Sequence, residues 1–180
     1  LKRILKIIAV TLVSILVLAI IAFFGVYTYY NEKFIPSEDV FTERVAYIDP
    51  DNSLLSEGFE TCQDYIFDYY NPTRATYSTG KYGLKEEVFN AYDHTKYTDS
   101  GYLSVRFVIN CKGQAGRYVW HETNLDLEPT TLSKDLVEDL VTITTQLKLW
   151  NPNVIRGEKV DSYMYILYRI ENGKITQIIP

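Results

Sequence analysis

Residues 7–26 constrain this chain more than any other stretch: they form a run without a single charge, in which only Thr11 and Ser14 are polar. At 1.5 Å per residue a helix of that length reaches about 30 Å, the thickness of a bilayer's hydrocarbon core. Lys2, Arg3 and Lys6 precede the run; Glu32, Glu38 and Asp39 follow it, with Lys33 the nearby base. The positive-inside bias therefore leaves the N-terminus cytoplasmic and the remainder across the membrane. Tyr27, Tyr29 and Tyr30 stand where an interfacial aromatic belt belongs. A cleaved signal peptide has an apolar core of roughly 7–15 residues and a small-x-small cleavage site. The stretch AFFGVYTYY offers no such site. The expectation is an uncleaved single-pass anchor over residues 1–30 that meets membrane lipid directly.

Setting aside Lys2, Arg3 and Lys6, residues 31–180 carry fifteen bases against all twenty-three acids, a net −8. Nucleic acid requires a basic face, so this balance argues against it as a partner. About 150 residues bury an adequate core. The sixteen tyrosines fit both a protein-binding surface and strand positions, where tyrosine is favoured. Cys62 and Cys111 are the only cysteines. Outside the cytoplasm they are expected to pair, the alternative being two separate buried thiols.

Residues 31–52 read as a connector, punctuated by Pro36, Pro50 and Asp51-Asn52. Phe59, Cys62, Ile66 and Tyr69 fall at helical spacing, predicting a helix from Ser53 to about Tyr70, stopped by Asn71-Pro72. Gly80 and Gly83 suggest a turn, and Leu84, Val88, Ala91 and Tyr92 a second, shorter helix. Val105, Phe107 and Ile109 alternate with Ser104, Arg106 and Asn110, the period of a half-buried strand. A turn at 110–113 sends the chain back through 118–122. Leu132, Leu136, Leu140, Ile143, Leu147 and Trp150 share one helical face, capped by Thr130 or Thr131 and ended by Asn151-Pro152. The last elements are a strand over 163–171, the Asn172-Gly173 hairpin turn and a strand over 174–179. The expected fold class is α+β. A transmembrane helix is followed over 53–180 by an antiparallel sheet of two hairpins packed on one long helix, with additional N-terminal helices.

No catalytic constellation stands out, and the expectation is a protein that is not an enzyme. His94 and His121 lie in unrelated contexts, with no second ligand at metal spacing. A Cys–His nucleophile drawn from Cys62 or Cys111 with His121 would need a thiol that the disulfide consumes. GKYG lacks the spacing of a phosphate loop. Asp135, Glu138 and Asp139 read as a solvated helix face, and Arg106 and Arg169 as strand residues that stack on tyrosine or pair across strands. No cofactor and no metal are expected.

Three segments, in order, carry a likeness to a known family: STGKYGLKEEVFNAY, GYLSVRFVINCKGQAGRYVW and LKLWNPNVIRGEKVDSYMYILYRI. Residues from about 77 to 180 resemble the C-terminal domain of TonB-family energy transducers, in the form common in Bacteroidota-type bacteria. The resemblance implies an inner-membrane protein with a periplasmic βαβ-type domain that binds TonB-dependent outer-membrane receptors, and inner-membrane proton-channel proteins as partners at the anchor. In that family the receptor's extended TonB box adds as a strand beside the one that follows the long helix. Here that strand carries Tyr163, Tyr165, Ile166, Leu167, Tyr168 and Arg169. The strand over 174–179 would fold back on the same edge, either as a permanent cover or as a placeholder that a partner displaces. Two departures weigh toward the alternative of a non-energising scaffold or accessory subunit of an envelope complex. The family's Pro-rich spacer is missing, and the anchor lacks the ionisable residue that proton-driven helices carry or contact.

Overall fold

The computed structural model describes residues 2–34, 47–68 and 73–180. It divides the chain into two compact units, 1–45 and 46–180. The described part of the first is one helix, α1 (Lys2–Phe34). Its segment Lys2–Asn31 has no buried residue and is long and apolar enough to cross a membrane. The threonine and serine hydroxyls of this helix are satisfied from within it. The Thr11 hydroxyl donates to the Ile7 carbonyl (2.9 Å), Ser14 to Val10 (2.9 Å) and Thr28 to Phe24 (2.9 Å). Lipid demands such internal satisfaction, since it supplies no hydrogen-bond partner. Of the acids expected beyond the helix, Glu38 and Asp39 lie outside the described residues, as does Pro36.

The second unit is α+β. In chain order it holds β1 (Thr76–Tyr77), α2 (Gly80–Ala91), β2 (Gly101–Ile109), β3 (Ala115–Thr123), α3 (Lys134–Gln146), β4 (Trp150–Asn151), β5 (Asn153–Ile155), β6 (Glu158–Val160), β7 (Ser162–Glu171) and β8 (Lys174–Ile179). The main sheet runs β3-β2-β7-β8, antiparallel throughout, so the two predicted hairpins join through β2 and β7. β7 lies along the whole of β2, from Ile109↔Ser162 to Gly101↔Ile170. Two small pairs flank the sheet, β1 with β4 and β5 with β6.

Alternation sorts the side chains. Leu103, Val105, Phe107 and Ile109 of β2, with Met164, Ile166, Tyr168 and Ile170 of β7, join Leu136, Val137, Leu140 and Val141 of α3 and Leu84 and Val88 of α2 in the main core. Each such aliphatic side chain contributes about 1.5–3 kcal/mol by leaving water. The opposite side of the sheet bears a second cluster of Ile48, Val108 and Tyr163, with Phe59, Ile66 and Val119 packed against it. Residues 47–68 belong to this layer, so the folded unit begins well before Ser53.

The helix expected from Ser53 does not form. Residues 53–68 are irregular, preceded by a 3-10 turn at Pro50–Asn52. Leu55 (φ 54°) and Gly58 (φ 75°) sit in the left-handed region and interrupt any helical path. The backbone groups find partners far along the chain instead. Leu54 exchanges hydrogen bonds with Tyr118 (2.9 Å each), and Phe67 bridges Ser162. Cys62 is exposed rather than turned to a core. Tyr69, Tyr70 and the Asn71-Pro72 stop lie outside the described residues.

The glycine turn at Gly80 and Gly83 is likewise replaced, since both glycines belong to α2, and Gly83 lies one turn inside. The long helix is shorter than its apolar spacing suggests. Ser133, not Thr130 or Thr131, occupies the N-cap, and its N–H and hydroxyl bond to Asp99 (2.7 and 2.8 Å). Leu147 is the C-cap, and Trp150 leaves the helix to pair with Tyr77 in β4. The indole N–H still reaches back to the Leu147 carbonyl (2.9 Å), and the ring meets Tyr77 edge-on at 4.9 Å.

Candidate interaction edge

β7 is an interior strand. β2 flanks one side, and on the other β8 pairs with it from Leu167↔Ile179 to Glu171↔Lys174. Beyond the reach of β8, Phe67 forms a parallel bridge at Ser162. Of the residues singled out on this strand, Ile166 and Tyr168 are fully buried on the α3 side. The Thr144 hydroxyl gives its proton to the Leu140 carbonyl (2.6 Å) and so receives the Tyr168 hydroxyl (2.8 Å). Burial pushes the Tyr168 phenol well above its usual range. Tyr163 is buried in the second cluster, while Tyr165, Leu167 and Arg169 are half-buried on the same side. The Arg169 guanidinium lies 5.9 Å from the Tyr102 ring centre, and its Nε is 2.9 Å from Glu171. The strand predicted to meet a partner thus spends its side chains on two packing layers, and β8 occupies part of its backbone edge.

β8 is packed into the fold. Ile175 and Ile178 are buried in the main core. The turn before the strand, with Asn172 at φ 49° and Gly173 at φ 75°, is the primed hairpin type that matches strand twist. It is fixed at three points. The Gly173 carbonyl accepts the Tyr92 hydroxyl (2.7 Å), the Gly173 N–H donates to Asp99 (2.8 Å), and the Asn172 N–H donates to the Ser100 hydroxyl (2.9 Å). Peeling β8 away would expose both isoleucines, at about 1.5–3 kcal/mol each, before any ladder bond is counted.

The two outer edges of the sheet differ. On β3, Leu54 bridges Tyr118 and Pro129 bridges Thr123, so the edge is interrupted twice. Along β8 no strand or bridge occupies the outer side among the described residues. Thr176 and Gln177 are exposed there, and Ile179 retains 38 % exposure. The 3-10 turn His94–Lys96 packs near the start of β8; the rest of an edge strand with no neighbour presents a template for pairing with another chain.

At the opposite end of the sheet, Cys62 and Cys111 form a disulfide, with Cα atoms 6.0 Å apart. Two buried polar residues organise the surrounding backbone. Asn110 at the tip of the β2–β3 hairpin accepts the Lys112 and Gln114 N–H groups (3.0 Å each) and donates its amide to the Glu60 carbonyl (3.0 Å). Asp161, fully buried just before β7, accepts the Cys62 and Gln63 N–H groups on one oxygen (2.6 and 2.9 Å) and the Cys111 N–H on the other (2.8 Å). One carboxylate therefore binds the backbone of both cysteines. The two sulfurs and Asp161 lie within 4.8 Å of one another, but the bond consumes the sulfurs and amide protons engage both oxygens. Nothing in the sequence pattern pointed to Asp161, because its partners lie 99, 98 and 50 residues away.

His94 sits in a 3-10 turn and His121 is exposed on β3, in separate elements. Comparisons with family models, with curated proteins and with solved structures return no match to this chain.

Proposed function

We propose that the chain is a single-pass membrane protein whose second unit is an extracytoplasmic protein-interaction module of TonB C-terminal type, taking an extended partner segment by strand addition at the β8 end of its sheet. The observation that carries this reading is the contrast between the edges: β3 is bridged twice, and β8 has no strand beside it among the described residues. Main-chain hydrogen bonds would supply the affinity and alternate side chains the selectivity. The partner would join at β8, because β8 covers the part of β7 that the family resemblance marks. A disulfide in the same unit fits an oxidising compartment.

A second observation bears on which partner. Ile48 is already packed with Val108 and Tyr163 and α1 ends at Phe34, so twelve residues, 35–46, separate the end of the helix from the first described residue of the second unit in sequence. Fully extended, twelve residues span at most about 40 Å. Such a tether favours a scaffold or accessory role beside inner-membrane or periplasmic neighbours over energy transfer to an outer-membrane receptor.

The test is isolation of the full chain, anchor included, from native membranes. Co-isolation of inner-membrane neighbours alone supports the scaffold reading. Motor proteins together with outer-membrane receptors would move the assignment to energy transduction. A chain that comes out without stoichiometric partners would contradict an interaction module of either kind.

A further inference from the structure

A pocket of about 160 Å³ opens where β1 and the start of α2 meet β4 and the last two strands. Its walls are apolar: Tyr77, Leu84, Trp150 and Met164, with Pro180 contributing beyond β8. Two cations, Arg74 and Lys81, also line it, and both are exposed. Neither takes part in an ion pair among the described residues. In a chain segment of net charge −8, two cations without an ion pair among the described residues stand beside an apolar hole, while the acid Glu87 is engaged by the Tyr77 hydroxyl of the same wall (2.6 Å). The start of α2 adds to the positive charge: no acid lies in the first turn, and the Thr79 side chain caps none of its N–H groups.

We propose that this pocket receives one apolar side chain, aromatic or leucine, from an extended partner peptide, and that Arg74 and Lys81 hold a carboxylate beside that side chain. The volume sets the size of the guest. A cavity of about 150 Å³ holds a benzene, so this one takes one ring or one branched side chain. Sites that enclose whole drug-sized molecules run to about 300–1,000 Å³, which argues against an acyl chain lying inside. The position favours a peptide, since Met164 belongs to β7 and Pro180 follows β8, next to the edge where an added strand would lie. The two cations complement an acid in the guest. This inference deepens the reading above by naming the chemistry of the partner segment, and its test does not depend on strand addition.

Trp150 lines the pocket at 6 % exposure, and Trp120 is the one other indole. Trp120→Phe in the full chain, held in nanodiscs, leaves Trp150 as the sole indole, which is excited selectively at the red edge of the absorption band. Three acetylated tripeptides are titrated: Ser-Phe-Asp, Ser-Phe-Asn and Ser-Ala-Asp. Ser-Phe-Asp should give a saturable change in Trp150 emission, with the other two binding about tenfold more weakly, as loss of a charge-assisted contact or a buried ring requires. Arg74→Gln with Lys81→Gln should bring Ser-Phe-Asp and Ser-Phe-Asn to equal affinity, and both positions are exposed, so the fold is retained. No saturable change, equal binding of all three peptides, or an unaffected double variant would overturn the proposal. So would saturation by laurate without peptide binding, which assigns the pocket to lipid, or a concentration-dependent signal without peptide, which assigns it to a second copy. If the peptides bind and no partner is found at β8, the strand-addition reading fails while this one stands.

Discussion

Asp161→Asn offers a sharp test of how the end of the sheet is held together. The carboxylate is fully buried and accepts three backbone N–H groups, from Cys62 (2.6 Å), Gln63 (2.9 Å) and Cys111 (2.8 Å). Hydrogen bonds to a charged group contribute about 1.5–3 kcal/mol each. Asparagine keeps the shape but has one acceptor oxygen, so its amide must face at least one N–H donor to donor. Losing the charge and one acceptor should cost about 2–4 kcal/mol, near the lower part of the range for breaking a buried charged cluster. For a unit of this size that lowers the midpoint of thermal unfolding by roughly 10 °C. The assay is denaturant unfolding of the full chain, alone and on a Cys62→Ala/Cys111→Ala background. Because Asp161 holds both cysteine backbones in place, the variant should also re-form the disulfide more slowly on oxidative refolding. A change under about 0.5 kcal/mol, the level of an ordinary surface substitution, would refute the reasoning.

Replacing Cys62 and Cys111 by alanine should cost about 4 kcal/mol, since the bond closes a loop with a sequence separation of 49 residues; unfolding with and without reductant measures it, and equal stability would remove the disulfide from the account. Gly173→Ala should cost about 2–4 kcal/mol, because φ is +75° and a Cβ there would lie 2.0 Å from the Tyr97 carbonyl oxygen; chemical unfolding reads the loss, and a neutral result would mean the turn is not pinned. Burial, aided by the Glu87 hydrogen bond for Tyr77 and by Asp99, Asp139 and Asp93 for Tyr92, pushes both phenols up to about 12. The folded state thus holds these protons more tightly than the unfolded chain. The stability this adds is complete below about pH 10 and is lost as pH rises through 12. Phenolate absorbance should show these two tyrosines ionising well after the exposed ones, and early titration of all sixteen tyrosines would contradict their burial.

The parts of the fold that the sequence made legible are those built from neighbours along the chain. The alternation of Val105, Phe107 and Ile109 and the Asn172-Gly173 pair specify their hairpins locally, and both hairpins form as read. The run at 7–26 forms the one helix, among the described residues, that is long and apolar enough to cross a membrane, as its composition alone suggests. Spacing misled where contacts with distant segments override it. Phe59, Cys62 and Ile66 repeat like a helix, yet Gly58 and Leu55 turn left-handed, and the segment is held by Asp161 and the edge of β3. Trp150 continues the α3 stripe in number but turns out of it at Leu147 to meet Tyr77. The hairpin turn places the strand over 174–179 beside the one before it, and that strand ends the sheet. The pocket was not legible: it joins Arg74 and Lys81 to Trp150 and Met164, contacts between distant segments on which local pattern is silent.

The central claim, a partner strand at β8, is tested most directly by photo-crosslinking in native membranes. One full-length variant carries a photoreactive side chain at Gln177, exposed on β8, and another carries it at Lys148, exposed after α3. The account predicts a discrete protein adduct from Gln177 and none from Lys148. No adduct from Gln177, or equal adducts from both positions, would contradict it.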